Sequence, residues 1–299
     1  MRTNTGRAAG ALAVLSIIWG YNWVVMKQAS SYAGPFQFAA LRTVFGTIAL
    51  FAILILRGRS LRLVAPGQTL LLGLLQTAGF TGLSQWALVT GGAGKTAVLA
   101  YTMPFWLLLL AWLMLGERVR GVQWLAVALA AAGLVLIVEP WRLATTLASE
   151  MLAVLSGLSW AASAIVAKRM RASVDVDLLS LTAWQLLLGS VVLVVVALLV
   201  PAPPLEIGVP LILAVAYTAL LGTGLAWLLW MYVLDKLPAG LAGLGSLVIP
   251  AIGVLAAWLQ LGERPHTSEL LGMTLVAAAL ALLAVGGPRQ DEAGRAATA

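Results

Sequence analysis

Long uninterrupted stretches of apolar residues recur along almost the whole chain, and they constrain the fold more than any other feature. Hydrophobic residues make up 62% of the 299 residues and charged residues 10%. Soluble domains carry about 45–50% apolar and about 25% charged residues. So few charges could not cover the surface of a soluble protein of this size, whereas about 20 apolar residues cross a bilayer as a helix. The sequence therefore predicts an all-α integral membrane protein.

Ten membrane-spanning segments are predicted, separated by short turns rich in glycine, proline and charge. They lie near residues 8–28, 36–56, 66–88, 95–115, 121–138, 149–170, 178–200, 208–232, 239–261 and 268–286. The apolar runs are continuous rather than alternating, which favours helices over a transmembrane barrel. The first segment is too long for a cleaved signal peptide, so we expect it to be retained. The small, polar residues 287–299 are predicted to form a disordered cytoplasmic tail.

The distribution of lysine and arginine predicts how the chain is inserted. With a cytoplasmic amino terminus, thirteen of the 18 basic residues fall on the inner side, four on the outer side, and Arg42 within a helix. Positive charge concentrates in cytoplasmic loops, so both termini are expected to be cytoplasmic in a multi-pass protein of the bacterial inner (plasma) membrane. Nucleic acid is not an expected partner of this +7 chain, because its basic residues form no long run.

A proline and a charged tetrapeptide recur at the same spacing in both halves of the chain. Pro104 precedes the Leu-Gly-Glu-Arg sequence that contains Glu117, and Pro250 precedes an identical sequence that contains Glu263. Membrane prolines kink helices and free carbonyl groups, and cavities often form beside such breaks. We therefore expect Pro104 and Pro250 to have structural or gating roles. The two glutamates would either order the turns that follow their helices or take part in proton coupling at the rims.

A second recurrence indicates that the whole chain is an internal duplication. Trp19 precedes Lys27 and Trp160 precedes Lys168 at one interval. Two ordered matches predict two five-helix units, at residues 8–138 and 149–286. Because five is odd, the units would have opposite orientations in the membrane. Inverted repeats of this kind are the architecture of alternating-access transporters.

The paired Pro…Gly-Glu-Arg patterns, with Trp19-Gly20 in the first segment, carry a resemblance to the drug/metabolite transporter superfamily. The chain resembles its EamA-type ten-helix exporters from about Ala8 to Gly286, and most closely the bacterial amino-acid exporters of the YddG kind. The resemblance implies that helices 1, 3, 4, 6, 8 and 9 surround a central cavity. It also implies cytoplasmic termini and efflux of amino acids, related metabolites or drugs.

Polar and aromatic residues at helical spacing are candidates for the walls of such a cavity. An asparagine beside two indoles in the first segment would be costly if it faced lipid. Trp19 and Trp160 are expected to oppose one another across the pseudo-twofold axis. The predicted substrate-binding residues are Trp19, Asn22, Trp23, Arg42, Gln76, Phe80, Tyr101, Trp160, Ser163, Gln185 and Trp227. The alternative interpretation is that these side chains only hold helices together by packing or hydrogen bonding.

Two interpretations of Arg42 are open. An arginine at the centre of a membrane helix costs about 2.5–3.5 kcal/mol, and less where its side chain reaches the interface. Arg42 lies near the start of the second segment, so its guanidinium could reach the outer surface. Alternatively, it provides a positively charged wall for a substrate carboxylate. Its counterpart in the second repeat is Gln185.

The acidic residues limit the possible functions. All eleven fall at predicted helix ends or in loops, and the chain has one histidine and no cysteine. No enzymatic, cofactor or metal site is expected, because the membrane segments offer no acid–base or metal-ligating group. Facilitated diffusion is the expected mechanism, since a proton-coupled antiporter usually holds a carboxylate within the membrane.

The sequence thus predicts a transporter that exports amino acids or related small metabolites by alternating access through a central aromatic and polar cavity. The alternative is efflux of drugs or other small amphiphiles, such as nucleosides or cationic compounds, with proton coupling as a further option. Inverted repeats and kinked helices argue against a channel or scaffold. The expected partners are a small-molecule substrate and the lipid bilayer, with the chain acting as a monomer or weak homodimer.

Overall fold

The computed structural model of the chain describes residues 2–116, 121–139, 147–175, 177–236 and 248–286. All regular secondary structure within these ranges is helical. The α-helices are α1 (Arg2–Ala29), α2 (Pro35–Leu56), α3 (Pro66–Leu72), α4 (Phe80–Thr90), α5 (Ala93–Ala100), α6 (Met103–Leu115), α7 (Gly121–Val138), α8 (Leu147–Ser173), α9 (Leu178–Leu199), α10 (Val209–Ala216), α11 (Ala226–Lys236), α12 (Val248–Leu261) and α13 (Thr267–Gly286). Two π-helical stretches, π1 (Gly73–Gly79) and π2 (Tyr217–Leu225), join α3 to α4 and α10 to α11.

Seven helical stretches of the described chain are long and apolar enough to cross a membrane. They are Arg7–Ala29, Pro35–Leu56, Ala93–Leu115, Gly121–Val138, Leu147–Ser173, Leu178–Leu199 and Val209–Trp230. The shorter apolar helices Val248–Leu261 and Thr267–Leu282 correspond to the last two predicted segments. The prediction of an all-α membrane protein is thus supported. Ten helices in inverted repeats stay a prediction, and residues 239–247 of the ninth segment and the tail 287–299 lie outside the described residues.

The third predicted segment is helical from Pro66 to Thr90 but is not one of the seven apolar stretches. Polar residues lower its hydropathy, and three of them, Thr77, Ser84 and Gln85, are buried. A polar residue in lipid would leave its hydrogen-bonding groups unsatisfied, whereas a polar residue facing other helices can find partners. The low hydropathy of this helix therefore reflects a polar face directed into the protein.

Helix ends that the sequence assigns to the outer side meet at one end of the helical bundle, which we call the Lys27 end. Lys27 at the last turn of α1 donates from Nζ to the carbonyl oxygens of Leu88 (2.7 Å) and Gly91 (2.9 Å). The backbone N–H of Glu206, between α9 and α10, donates to the carbonyl of Tyr32, between α1 and α2 (2.9 Å). These contacts join three connections of the chain.

The opposite end of the bundle, which we call the Arg59 end, carries contacts between elements assigned to the inner side. Arg59 after α2 forms an ion pair with Asp177, the N-cap of α9, at 3.3 Å. Arg169 near the end of α8 donates to the carbonyl oxygen of Met114 near the end of α6 (2.8 Å). These contacts are consistent with helices that alternate in direction as the predicted segments require.

The two π-helical stretches occupy equivalent places in the two halves of the chain. π1 begins seven residues after Pro66 and π2 begins seven residues after Pro210. π-helical turns are uncommon and frequently occur at functional sites. Side-chain hydroxyl groups bind carbonyl oxygens in both, because Ser159 donates to Leu75 O (2.7 Å) and Thr223 donates to Thr218 O (2.9 Å). Each half of the chain therefore contains a membrane helix with a π-helical stretch at an equivalent position.

Glycines explain two of the recurring sequence motifs. Gly116 and Gly262, the glycines of the paired Leu-Gly-Glu-Arg sequences, follow α6 and α12 with φ of 66° and 70°. A left-handed residue after a helix is usually glycine, because a Cβ atom is strained there. Gly20 has a different role, since a Cβ atom there would lie 2.9 Å from the carbonyl oxygen of Ile249. Gly20 thus lets α1 pack closely against α12 beside Pro250.

Candidate functional site

Helix α1 places several predicted site residues inside the protein. Asn22 and Trp23 are 8% and 4% exposed, and the same segment buries Met26. The close approach at Gly20 holds this part of α1 against α12. Trp23 packs with buried residues of α2, α4 and α5, and Phe80 and Tyr101 pack against the same apolar cluster. The structure therefore brings together three predicted aromatic site residues from three helical segments.

A group of polar side chains surrounds Met26, and we call Asn22, Met26, Ser30, Arg42 and Gln85 the Met26 cluster. Arg42 Nη1 and Asn22 Nδ2 each lie 3.0 Å from the Met26 sulfur. Gln85 Nε2 donates to the Met26 carbonyl oxygen (3.0 Å) and to Ser30 Oγ (3.1 Å). The cluster joins α1, α2 and α4. Arg42 contacts the neighbouring helix α1, which favours an inward-facing role for its guanidinium.

Several strong hydrogen-bonding groups of the Met26 cluster lack strong partners. A thioether sulfur is only a weak acceptor, and Arg42 forms no ion pair with a carboxylate of the described chain. The amide oxygens of Asn22 and Gln85 are buried and accept no hydrogen bond from the described residues. A buried acceptor without a donor costs about 1–3 kcal/mol. The cluster can thus bind a ligand that supplies both an anionic group and a hydrogen-bond donor.

Trp19 lies in a different aromatic group, next to π2 and α11. Its ring centroid is 6.3 Å from that of Trp227 and 6.1 Å from that of Trp230, and its Nε1 donates to the carbonyl of Gly222 (3.0 Å). Two predicted residues, Trp19 and Trp227, are thereby brought together. The predicted arrangement of Trp19 opposite Trp160 is not an aromatic pair, because Trp160 makes no ring contact within the described ranges. Whether the two indoles face one cavity stays a prediction.

The remaining predicted site residues make contacts that hold helices together or lie within one helix. Thr77 in π1 donates to Gln185 Oε1 of α9 at 2.8 Å, and both are buried. Ser163 donates to the Trp160 carbonyl oxygen in its own helix (2.6 Å). Gln76 is half-buried in π1. Gln185 therefore has the interhelical hydrogen bond of the alternative interpretation.

Glu263 binds the beginning of a helix from the other half of the chain. Its carboxylate accepts hydrogen bonds from the backbone N–H groups of Ala93 (2.8 Å) and Gly94 (3.1 Å), at the first turn of α5. A negative charge at a helix N-terminus satisfies free N–H groups and interacts favourably with the helix dipole. Glu263 was predicted either to order the turn after its helix or to take part in proton coupling, and both roles stay predictions; the contact of its carboxylate with α5 was not predicted. Glu117, its counterpart in the first half, lies outside the described residues.

Further charged side chains join four helices at the Lys27 end, and we call Lys95, Glu150, Glu263 and Glu269 the Lys95 cluster. Lys95 in the first turn of α5 pairs with Glu150 of α8 (2.7 Å) and with Glu269 of α13 (2.9 Å). Its side chain is 19% exposed, and those of Glu150 and Glu269 are 4% and 13% exposed. A cavity of about 380 Å³ opens beside these residues.

The two predicted prolines occupy different positions in their helices. Pro104 is the second residue of α6, directly after a break at Tyr101 and Thr102 that divides the span Ala93–Leu115. The expected interruption beside Pro104 is thus present. Pro250 is buried in the first described turn of α12, next to the close contact with Gly20.

The predicted site residues did not include Met26, Gln85, Lys95, Glu150 or Glu269. The sequence could have indicated Gln85, because it is an amide side chain within a predicted membrane segment. The acidic residues at the helix ends had no sequence signal that identified Lys95 as their common partner. Their pairing depends on contacts between helices that are distant in the chain.

Comparisons with known proteins identify the family. A family model described as the EamA-like transporter family matches residues 7–139 and again residues 147–285. The chain belongs to the EamA-like transporter family. The recognised resemblance to the drug/metabolite transporter superfamily is thereby confirmed, and this EamA-family chain is a membrane transporter.

Relatives of this EamA-family transporter match nearly its whole length. It is 28% identical to the uncharacterized inner membrane transporter YedA of Escherichia coli K12, with 93% of this chain and 90% of YedA covered. It is 27% identical to the uncharacterized transporter YoaV of Bacillus subtilis, with 88% and 91% covered. It is also 27% identical to a probable amino-acid metabolite efflux pump of Escherichia coli K12, with 90% and 92% covered. These names support a multi-pass membrane protein and a non-enzymatic transport function.

One solved crystal structure shows the same fold. It superposes with a TM-score of 0.65 at 18% sequence identity, covering 94% of this chain and 97% of that one. The overall arrangement of the described helices is therefore shared with a known protein.

Proposed function

We propose that this EamA-family transporter exports amino acids or related small metabolites by alternating access through a central aromatic and polar cavity. The substrate class is supported by relatives from Escherichia coli and Salmonella typhimurium named probable amino-acid metabolite efflux pumps. It is also supported by neighbouring side chains that combine apolar rings with neutral amides and one guanidinium, at Trp23, Phe80, Asn22, Gln85 and Arg42. A zwitterion with a small side chain suits such a lining.

The observation that carries the transport mechanism is the pair of π-helical stretches at equivalent positions in the two halves. π1 and π2 begin at the same distance after a proline in the two halves, and each half matches the family model separately. π-helical turns frequently occur at functional sites, and transporters with inverted repeats bind their substrate at the interface between the repeats. We propose accordingly that ten helices form two five-helix units of opposite orientation, with both termini cytoplasmic.

In this proposal the Lys27 end is the periplasmic end, and the Lys95 cluster closes it. The cluster links α5 of the first half to α8, α12 and α13 of the second half. Opening of the periplasmic side would separate these helices and break the contacts. The described carboxylates of the cluster lie at this end rather than among the Met26 cluster, which supports facilitated export down a metabolite gradient.

A counterflow experiment tests the proposal. Purified protein in proteoliposomes would be loaded with one unlabelled amino acid at a time, and entry of the same radiolabelled amino acid would be followed with and without a pH gradient. A carrier shows faster entry when substrate is present on the opposite side, and protein-free liposomes are the control. Flux without this trans-stimulation would contradict alternating access. Flux that requires the pH gradient would contradict facilitated export.

The same preparation tests the substrate class and the topology. Nucleosides and cationic drugs would be screened in parallel, and transport of these compounds with no amino-acid flux would favour the alternative substrate class. The chain contains no cysteine, so single cysteines at residues 3 and 297 can be labelled in intact cells with a membrane-impermeant maleimide. Neither position should react until the membrane is permeabilised. Reaction of one terminus alone would contradict an even number of spans.

A further inference from the structure

We propose that the Met26 cluster binds the two charged ends of an α-amino acid, with Arg42 holding the carboxylate and the amide oxygens of Asn22 and Gln85 holding the ammonium group. This inference rests on the proposed function and assigns the chemical groups that the substrate must carry. It requires a free carboxylate and a free amine on the transported molecule.

The carboxylate site follows from the environment of Arg42. The guanidinium carries a full charge and five N–H donors, yet its partner in the described chain is the Met26 sulfur at 3.0 Å. Sulfur is a weak acceptor, and Arg42 makes none of the ion pairs found among the described residues. A carboxylate matches the planar guanidinium with two parallel hydrogen bonds. A substrate carboxylate would thus offset the free-energy cost of placing Arg42 within a membrane helix.

The ammonium site follows from the orientation of two buried amides. The amide nitrogen of Gln85 is fixed by two acceptors, the Met26 carbonyl and Ser30 Oγ, and that of Asn22 by the Met26 sulfur. Both amide oxygens are therefore left as acceptors, and both are buried without a donor from the described chain. Gln85 is 0% exposed and Asn22 8% exposed. A primary ammonium group has three N–H donors. Each of the two buried amide oxygens can accept a hydrogen bond from one of them.

The Met26 cluster lies a short distance inside the Lys27 end of the bundle. Asn22 lies seven residues before the end of α1 and Gln85 five before the end of α4, about 7–11 Å inside the Lys27 end at 1.5 Å per residue. Asn22 and Arg42 contact the Met26 thioether, which is flexible and can move aside for a ligand, and Gln85 contacts the Met26 backbone carbonyl. The apolar cluster with Trp23 lies next to it and can contact an apolar side chain.

The test measures binding of tritiated L-leucine, L-threonine and L-phenylalanine to the purified full-length protein. Competition uses each amino acid, its amide, which lacks the carboxylate, and its N-acetyl derivative, which lacks the ammonium group. For the parent protein, both derivatives should compete at least about 30-fold more weakly than the free amino acid, as expected for lost charge-assisted hydrogen bonds.

Two variants assign the groups to their sites. Arg42→Gln should weaken amino-acid binding by about 30-fold or more and should abolish discrimination against the amide. Asn22→Leu, which keeps the side-chain shape, should reduce discrimination against the N-acetyl derivative and leave discrimination against the amide intact. Arg57→Gln, at the exposed end of the same helix as Arg42, is the matched control and should behave like the parent.

The competition ratios separate binding from a structural role. If Arg42→Gln does not fold, Arg42→Lys replaces it. The lysine retains the charge, but discrimination against the amide derivative should fall about tenfold, because lysine cannot form two parallel hydrogen bonds with a carboxylate. An unchanged ratio in the folded Arg42 variant, together with intact counterflow, would overturn this inference while the proposed function stands. Absence of amino-acid counterflow by the parent protein would instead contradict the proposed function.

Discussion

The hydrogen bonds that the Glu263 carboxylate accepts from α5 allow an estimate of how strongly this side chain holds the Lys27 end closed. The carboxylate accepts from Ala93 N at 2.8 Å and Gly94 N at 3.1 Å. Glu263→Gln keeps one acceptor oxygen but removes the charge and the second acceptor. A hydrogen bond to a charged group contributes about 1.5–3 kcal/mol, and the helix dipole adds about 0.3–1 kcal/mol. If these contacts exist only when this end is closed, the variant should increase the open population about 20- to 700-fold, at 1.4 kcal/mol per tenfold.

Cysteine accessibility measures this population. Ala97 is fully buried one helical turn inside Ala93, packed in the same cluster as Trp23, and the chain has no native cysteine. Ala97→Cys in the parent background should react slowly with a membrane-impermeant maleimide added outside cells. Adding Glu263→Gln should raise that rate by the factor given above, because the reagent reaches the position only when the Lys27 end opens.

A matched control and a clear negative result complete the experiment. Glu206 is an exposed glutamate at the same end of the bundle, and Glu206→Gln should leave the labelling rate of Ala97→Cys unchanged. Equal labelling rates for Glu263→Gln and its parent would refute the reasoning that this carboxylate stabilises closure. A rise of similar size in both glutamine variants would refute it as well, since the effect would then reflect surface charge.

Two further predictions concern packing and the aromatic walls. Gly189→Ala should lower the free energy of unfolding by about 1–3 kcal/mol, because a Cβ atom would lie 2.5 Å from the carbonyl oxygen of Gly73 in π1. Thermal unfolding in detergent checks this, and Gly10→Ala, with open space around it, should show no such loss. Trp19→Ala and Trp160→Ala should each reduce counterflow without preventing membrane insertion. Normal counterflow in both variants would show that these residues do not line the substrate path. Trp112→Ala, at an exposed tryptophan, is the control.

Features that depend on local composition were predictable from the sequence. The helix Gly121–Val138 matches its predicted segment, and α2 and α9 begin and end within about one residue of theirs. These lengths follow from the thickness of the bilayer and from the apolar runs, which need no knowledge of neighbouring helices. The paired Leu-Gly-Glu-Arg motifs were also informative, because Gly116 and Gly262 both have the left-handed conformation that ends a helix.

The partners of polar side chains were decided by the tertiary structure. Helical periodicity indicated that Asn22 and Trp19 face the protein interior, yet it did not indicate that Asn22 and Arg42 meet at Met26 or that Trp19 packs on Trp227. The sequence also did not indicate that the Glu263 carboxylate accepts hydrogen bonds from the first turn of α5. A sequence pattern reports which face of a helix is polar. Which other helix covers that face depends on packing among distant segments.

The sequence by itself determined that this protein lies in a lipid bilayer and gave the approximate positions of its helices, and it predicts the side of the membrane to which each charge belongs. These properties follow from hydrophobicity and charge, which act residue by residue against water and lipid. The tertiary structure alone decided where the backbone adopts π-helical turns and which charged groups join the helices at the Lys27 end. Both require atoms from separate segments to come within a few ångströms, and that arrangement exists only after the helices have packed.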